Sequence, residues 1–179
     1  MDYAAQFNPG FALEPARVAL VVVDLQYASG SRQEGLGRLL KEQGNEVQGA
    51  YRFDRIEGVV VPAVQRLLAF FRSHGLRVAY LTVGSELPDY SDLLPHMRGM
   101  AERVGNTRGR REHEILDELA PVPGEAVLNK TTMSAFHSSG FERLLRSWGW
   151  SSSSSPASRP TPASRAPRGT PPTAAIAAC

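Results

Sequence analysis

Two charged side chains stand where apolar runs of the chain end. Asp24 closes a run that begins at Val18, and Lys130 closes a shorter run that begins at Ala126. If both runs are parallel strands, the carboxylate and the ammonium reach the same edge of the sheet, where open parallel sheets bind ligands. The pair could then converge on one small molecule. The same two residues could also form a structural ion pair or lie apart in solvated loops, and spacing alone leaves these alternatives open.

The only cysteine of the chain is Cys179, its last residue. One thiol allows no internal disulfide, which fits a reducing compartment and favours a cytoplasmic protein. A nucleophilic thiol must be held within hydrogen-bond reach of its base. Nothing in the sequence around Cys179 predicts a turn that would hold it, so we assign it no catalytic role.

The apolar pattern predicts one α/β domain over residues 1–150. Val18 and its neighbours are largely β-branched, which is typical of a strand buried on both faces. A helix over 59–74 and a second strand over 76–83 follow, and this order predicts a right-handed parallel crossover. Residues 28–58 are less regular. We further predict a short helix over 38–43, a polar loop over 84–111, a short helix over 112–119, a third strand over 126–130 and a helix over 141–148.

The last residues, 151–179, have a different composition. This segment begins with five serines and holds six of the chain's 13 prolines, with one aliphatic side chain larger than alanine, Ile176. Such a segment cannot offset its ordering entropy by burial, so we expect a disordered tail. Its arginines, Arg159, Arg165 and Arg168, stand without any acid beside them and account for the net charge of +2.

Composition also excludes several classes of function. The basic pI of about 8.9 comes from the tail, and no basic stripe interleaved with aromatic residues predicts nucleic-acid binding in the domain. The apolar run from Val18 is too short to span a bilayer. The histidines, His74, His96, His113 and His137, show no metal-ligand spacing, so we expect no metal.

The motifs "ALVVVDLQ" at 19–26, "LRVAYLT" at 76–82 and "LNKTTMSAFHSSGFERLLRSWGW" at 128–150 resemble those of the isochorismatase-like cysteine hydrolases. The resemblance implies a three-layer α/β fold with a doubly wound parallel sheet. It implies Asp24 as general base and Lys130 as the triad lysine, with Gln26 near the bound substrate. It further implies C–N bond cleavage in a small amide, carbamoyl or ureido compound through a thioester, without an organic cofactor, in a homo-oligomer.

The resemblance also implies a third triad member, a cysteine at a later strand-to-helix turn. The sequence after Trp150 offers no cysteine at such a turn, so the chain departs from the family there. We hypothesise that the tail is read one nucleotide out of frame. Each tail residue then fixes the second and third bases of one in-frame codon, so a serine codon TCN corresponds to an in-frame codon NTC, which encodes Val, Leu, Ile or Phe. In this way residues 156–175 can be read as T-G-V-S-T-N-A-C-V-E-S-T-A-R-D-A-A-D-R-G. The in-frame cysteine codon overlaps the codon that is read as Ala163. A natural Ser/Pro/Ala-rich linker is the alternative origin of the tail.

On the frameshift hypothesis the domain is truncated after the third strand and the helix that follows it. We expect the chain to be inactive and its first strand to keep an exposed apolar edge. A non-catalytic interaction protein with a disordered tail is the alternative from a different class. A third possibility is a flavodoxin-like nucleotide or flavin binder, although no glycine-rich phosphate loop is present.

Overall fold

The fold was analysed in a computed structural model, which describes residue 15, residues 18–150 and the backbone of residues 173–178. Within these residues three strands alternate with helices. The strands are β1 (Val18–Val23), β2 (Arg77–Val83) and β3 (Ala126–Lys130), and a fourth, β4, covers Thr173–Ala178. The helices are α1 (Tyr27–Gly30), α2 (Gly35–Glu42), α3 (Glu46–Arg55), α4 (Val61–Ser73), α5 (Pro95–Val104), α6 (Ala135–Ser138) and α7 (Phe141–Ser147).

All four strands form one parallel sheet in the order β3-β2-β1-β4. The chain builds outward from β1 through β2 to β3 and then returns to the other side of β1. The order of strands therefore reverses at β1, which is the topological switch point of a doubly wound sheet. The predicted parallel α/β architecture is confirmed by this sheet.

Apolar side chains cover both faces of the sheet, which explains why β1 has no polar alternation. One face of β1 and β2 packs Leu20, Val22 and Tyr80 against α4. On the opposite face, Val21 and Leu81 pack against Ala135 of α6 and Phe141 of α7. All seven of these side chains are buried, and the four of them that belong to Leu20, Val21, Val22 and Tyr80 are at most 2% exposed.

Helix content between the strands exceeds the prediction. The helix predicted over 59–74 begins earlier, because α3 runs through a π-helical turn at Ile56–Val60 into α4 without a break. The short helix predicted over 38–43 is α2. The interval 84–111 was predicted as a loop and contains α5, which begins at Pro95 and ends before Gly105, whose φ of 74° stops the helix.

The helix predicted over 112–119 is wrong. Two 3-10 turns, Arg111–His113 and Asp117–Leu119, flank an extended stretch there. Ile115 forms an antiparallel bridge with Gln26, and Leu116 donates its N–H to the Leu25 carbonyl at 3.0 Å. Pairing with the segment that follows β1 therefore replaces the local helix.

The predicted disorder of the tail falls mostly on residues 151–172, which lie outside the described residues, as does Cys179. At Thr173–Ala178 the structure differs from that prediction, because β4 pairs with β1 over six register positions. The exposed edge predicted for β1 is likewise wrong, since β4 occupies it. Within the described part of the chain, no helix is long and apolar enough to cross a membrane.

Candidate active site

Asp24 is fixed at the carboxyl end of β1 by its own backbone. Its N–H donates to the Leu81 carbonyl at 2.9 Å, and its carbonyl accepts from Ser29 Oγ at 3.2 Å. Its φ of 57° lies in the left-handed region, which aspartate tolerates better than most residues. The chain thus turns sharply as soon as the strand ends, and the carboxylate stands at the sheet edge.

Lys130 ends β3 and reaches the same carboxylate across the end of β2. Its Nζ lies 2.9 Å from Asp24 Oδ2. The lysine side chain is 4% exposed and that of Asp24 is 24% exposed. Burial makes an unpaired ammonium costly, so this contact neutralises a charge that the fold has removed from water. The two residues that the sequence placed at strand ends therefore meet.

The second carboxylate oxygen of Asp24, Oδ1, is buried and has no hydrogen-bond partner among the described residues. Buried polar atoms are nearly always paired in native structures, so an acceptor of this kind requires an explanation. The arrangement combines a buried cation, a carboxylate bonded to it through one oxygen, and a second carboxylate oxygen that can still accept a proton or a hydrogen bond.

Gln26 lies next to this pair but bonds to backbone at both ends of its amide. Its Oε1 accepts from the Val83 N–H at 2.8 Å, and its Nε2 donates to the His113 carbonyl at 2.7 Å. The side chain is fully buried. These contacts position the end of β2, and the substrate-binding role expected of Gln26 stays a prediction.

Asn106 completes the same support and was missed by sequence reasoning. Its Nδ2 donates to the Val83 carbonyl at 2.8 Å, so two side-chain amides satisfy both backbone groups of Val83 where β2 ends. Asn106 Oδ1 lies 3.0 Å from His113 Nδ1. Burial lowers the pKa of His113, which favours the neutral ring. Only the position of Asn106 directly after the helix-ending Gly105 could have drawn attention to it.

A cavity of about 330 Å³ opens at this edge of the sheet. Ser29, which bonds the Asp24 carbonyl, and Val83 line it from the strand side. Its other walls are mostly apolar residues of the loop before α5 and of α5 itself, including Leu93, Met97 and Val104. Its volume is within the range of small-ligand sites.

The arginines between β2 and β3 do not converge on this cavity as a group. Arg108 pairs with Glu86 at 2.5 Å, and Arg111 pairs with Glu114 at 2.6 Å. The Arg111 guanidinium also stacks 3.9 Å from the centre of the Tyr27 ring. Among the described residues, no group of three or more His, Cys, Asp or Glu side chains could hold a metal ion.

Comparison with known proteins places the chain in one family. A family model described as the isochorismatase domain matches residues 18–152. The ureidoacrylate amidohydrolase RutB of Caulobacter segnis is 30% identical over 151 residues, which is 76% of this chain and 59% of the relative. RutB of Pseudomonas syringae pv. syringae is 32% identical, over 76% of this chain and 57% of the relative. The chain therefore spans less than three fifths of the length of these relatives.

Solved structures with the same fold include a cysteine hydrolase from Pseudomonas syringae pv. phaseolicola. It has a TM-score of 0.57 at 22% identity and covers 78% of this chain and 58% of its own. An isochorismatase family protein from Desulfovibrio vulgaris has a TM-score of 0.56 at 27% identity and covers 74% of this chain and 62% of its own. The similarity in fold therefore agrees with the sequence match to the isochorismatase domain.

Proposed function

The chain belongs to the isochorismatase family, and we propose that it carries the acid and the lysine of a cysteine hydrolase that cleaves a C–N bond in a small amide, carbamoyl or ureido compound. The single observation that carries this proposal is the contact between Asp24 and Lys130 at the switch point, with Asp24 Oδ1 left without a partner among the described residues. The activity after which the RutB relatives are named, ureidoacrylate amidohydrolase, supports the substrate class.

In this mechanism Asp24 takes the proton of a cysteine thiol, and the thiolate attacks the substrate carbonyl. A free thiol is poorly ionised at neutral pH, so it needs an adjacent base and gains from a nearby cation. Asp24 Oδ1 suits the base because it is an unused acceptor, and the Lys130 ammonium favours the thiolate electrostatically. Backbone N–H groups hold the oxyanion that forms.

The tetrahedral intermediate then collapses to a thioester as the C–N bond breaks. The departing nitrogen takes the proton from Asp24 and leaves as an amine or as ammonia. Water, deprotonated by Asp24, attacks the thioester carbonyl and releases the acid, and the proton returns to the cysteine sulfur. The cycle needs no oxidant, reductant or organic cofactor.

We further propose that the nucleophile is encoded but out of frame in this chain. The family match ends at residue 152, next to Ser151, where the composition changes. The one-nucleotide shift would restore an aliphatic run at the serines, followed by T-G-V-S-T-N-A and a cysteine at position 163. On this proposal the chain of 179 residues, which has its only cysteine at 179, is inactive.

The experiment compares two proteins on a panel of amides, carbamoyl compounds and ureido acids. The first is the chain as it stands, and the second carries the frame-restored sequence from residue 151. We expect product only from the restored chain, with activity abolished by Asp24→Asn and by serine at restored position 163. Asp89→Asn is the matched control, because Asp89 is exposed and bonds Ser91 locally. Turnover by the unrestored chain that survives Cys179→Ser would overturn the proposal.

A further inference from the structure

The outer edge of β1 is occupied by a segment from the far end of the chain. Val18 lies opposite Thr173 and Val23 lies opposite Ala178, with the four positions between them also paired. The strands run parallel, so the backbone of Thr173–Ala178 extends the sheet by one strand. This pairing is independent of the proposed catalytic function.

β1 needs a neighbour on this side. Its residues Val18 to Val22 are at most 5% exposed, and a central strand of this kind carries no charge or proline that would protect a free edge. An unpaired β1 would present a row of free N–H and C=O groups beside apolar side chains. Such an edge pairs readily with another chain.

The path of the chain makes pairing within one molecule possible. The Arg77 side chain, at the amino end of β2, donates a hydrogen bond to the Trp148 carbonyl after α7. The chain has therefore returned to the amino end of the sheet before the link begins. A parallel strand beside β1 must start at that same end, about 10 Å away at two strand spacings. Residues 151–172 can span several times this distance.

The composition of the segment indicates how it is held. Its sequence is TAAIAA, and alanine is a weak strand former that offers little side-chain area. The pairing must therefore depend mainly on hydrogen bonds between the two backbones. Recognition by backbone hydrogen bonds at a sheet edge is the physics of strand addition, in which an extended peptide joins an existing sheet.

We propose that the outer edge of β1 is a strand-acceptor site for an extended, small-residue peptide in parallel orientation. Its occupant is the chain's own segment Thr173–Ala178, and this occupancy prevents a second copy of the chain from pairing with β1 in solution. The tail then serves a structural purpose whatever its genetic origin.

Cysteine cross-linking tests the register directly. Ala19 and Ala174 are register partners, and neighbouring strands lie within the Cα separation that a disulfide bridges. In a Cys179→Ser background, Ala19→Cys with Ala174→Cys should form an intramolecular disulfide under mild oxidation. Ala19→Cys with Ala178→Cys is the control, about 13 Å out of register. Equal cross-linking of both pairs, or a disulfide-linked dimer from the matched pair, would overturn the proposal.

Proline substitution tests the consequence of occupancy. The backbone N–H groups of successive strand residues point to opposite sides of the strand. One of the two single variants, Ala175→Pro or Ile176→Pro, therefore removes a hydrogen bond to β1. In that variant, alternate β1 amides should exchange at least about tenfold faster, and light scattering should detect species of higher mass than those of the parent chain. A synthetic peptide of residues 171–179 should restore the molecular mass of the parent chain.

Ser158→Pro is the control, because it adds a proline to the same tail outside β4. If both strand variants match this control in amide exchange and in molecular mass, β4 does not cap β1 in solution. Circular dichroism of each variant establishes that the helices are retained, so that loss of the strand is separated from global unfolding.

Discussion

Replacing Asp24 should destabilise the protein more than replacing Lys130, although the two residues form one ion pair. The Lys130 side chain is 4% exposed and the Asp24 side chain is 24% exposed. Asp24→Asn leaves a buried ammonium without its charge partner, a loss of about 3–5 kcal/mol. Lys130→Met leaves a carboxylate that water still reaches in part, so we expect a smaller loss of about 1–2 kcal/mol.

Asparagine is the cleanest replacement for Asp24 because it keeps the shape and tolerates the φ of 57°. Removing both charges should relieve the penalty, so the double variant Asp24→Asn/Lys130→Met should be more stable than Asp24→Asn alone by at least about 1 kcal/mol. Urea unfolding followed by circular dichroism gives all four free energies. With a slope of about 2 kcal/mol/M, Asp24→Asn should lower the midpoint by about 1.5–2.5 M.

Two results would refute this reasoning. If Lys130→Met loses as much stability as Asp24→Asn, the burial difference between the two side chains does not control the energetics. If the double variant loses the sum of the two single losses, the residues do not interact in solution. Asp89→Asn again serves as a control, and we expect its free energy of unfolding to change little.

Three further predictions concern residues that stabilise the fold. Burial is the largest single influence on the pKa of Glu125 and raises it, but the hydrogen bonds from Arg72 and from the Val122 N–H together hold this pKa below its usual value. These contacts therefore stabilise the fold above the unfolded pKa of about 4.3. That contribution falls as the pH drops through the folded pKa, and Glu125→Gln should flatten the dependence of the unfolding midpoint on pH below about 4.5. An unchanged profile would contradict the pairing. Gly35→Ala should destabilise strongly, because its Cβ would lie 2.4 Å from the Ala28 carbonyl oxygen at a φ of 46°. In Gly99→Ala, within α5, the added Cβ would have no neighbour within 4 Å, so this variant should stabilise the protein by about 0.5–1 kcal/mol. Thermal melts that rank the two glycine variants in the opposite order would contradict the structure. Gln26→Leu should lower the melting temperature by several degrees, because it leaves a buried backbone N–H without its acceptor, and a melt equal to that of the parent chain would show that the contact is dispensable.

The sequence predicted the elements whose signal is local and strong. The β-branched run before Asp24 is long enough to indicate a doubly covered strand, and both charged residues at strand ends could be placed at one edge by the rule for parallel sheets. The sequence could not predict that they touch. That contact depends on the reach of Lys130 across the end of β2 and on the turn that follows β1.

The failures have a common physical cause, which is that tertiary contacts decide between local alternatives. Glu112 to Leu119 has the composition of a short helix, but bridging to Gln26 holds its centre extended. In α5 the glycine at 99 lowers the local helix signal, whereas Pro95 and Gly105 mark its true limits. The pairing of β4 was unpredictable because alanine-rich segments carry little strand signal and the acceptor edge lies far away in sequence.

The most direct test of the account is the nucleotide sequence of the gene or transcript from the Trp148 codon onward. We predict that a shift of one base opens a frame that encodes an aliphatic run at the serines, followed by T-G-V-S-T-N-A-C with cysteine at position 163. Stop codons in that frame, or a translation with no cysteine near that position, would contradict the account. The acid and lysine would then mark family membership alone, and the tail would have to be explained as a natural part of the protein.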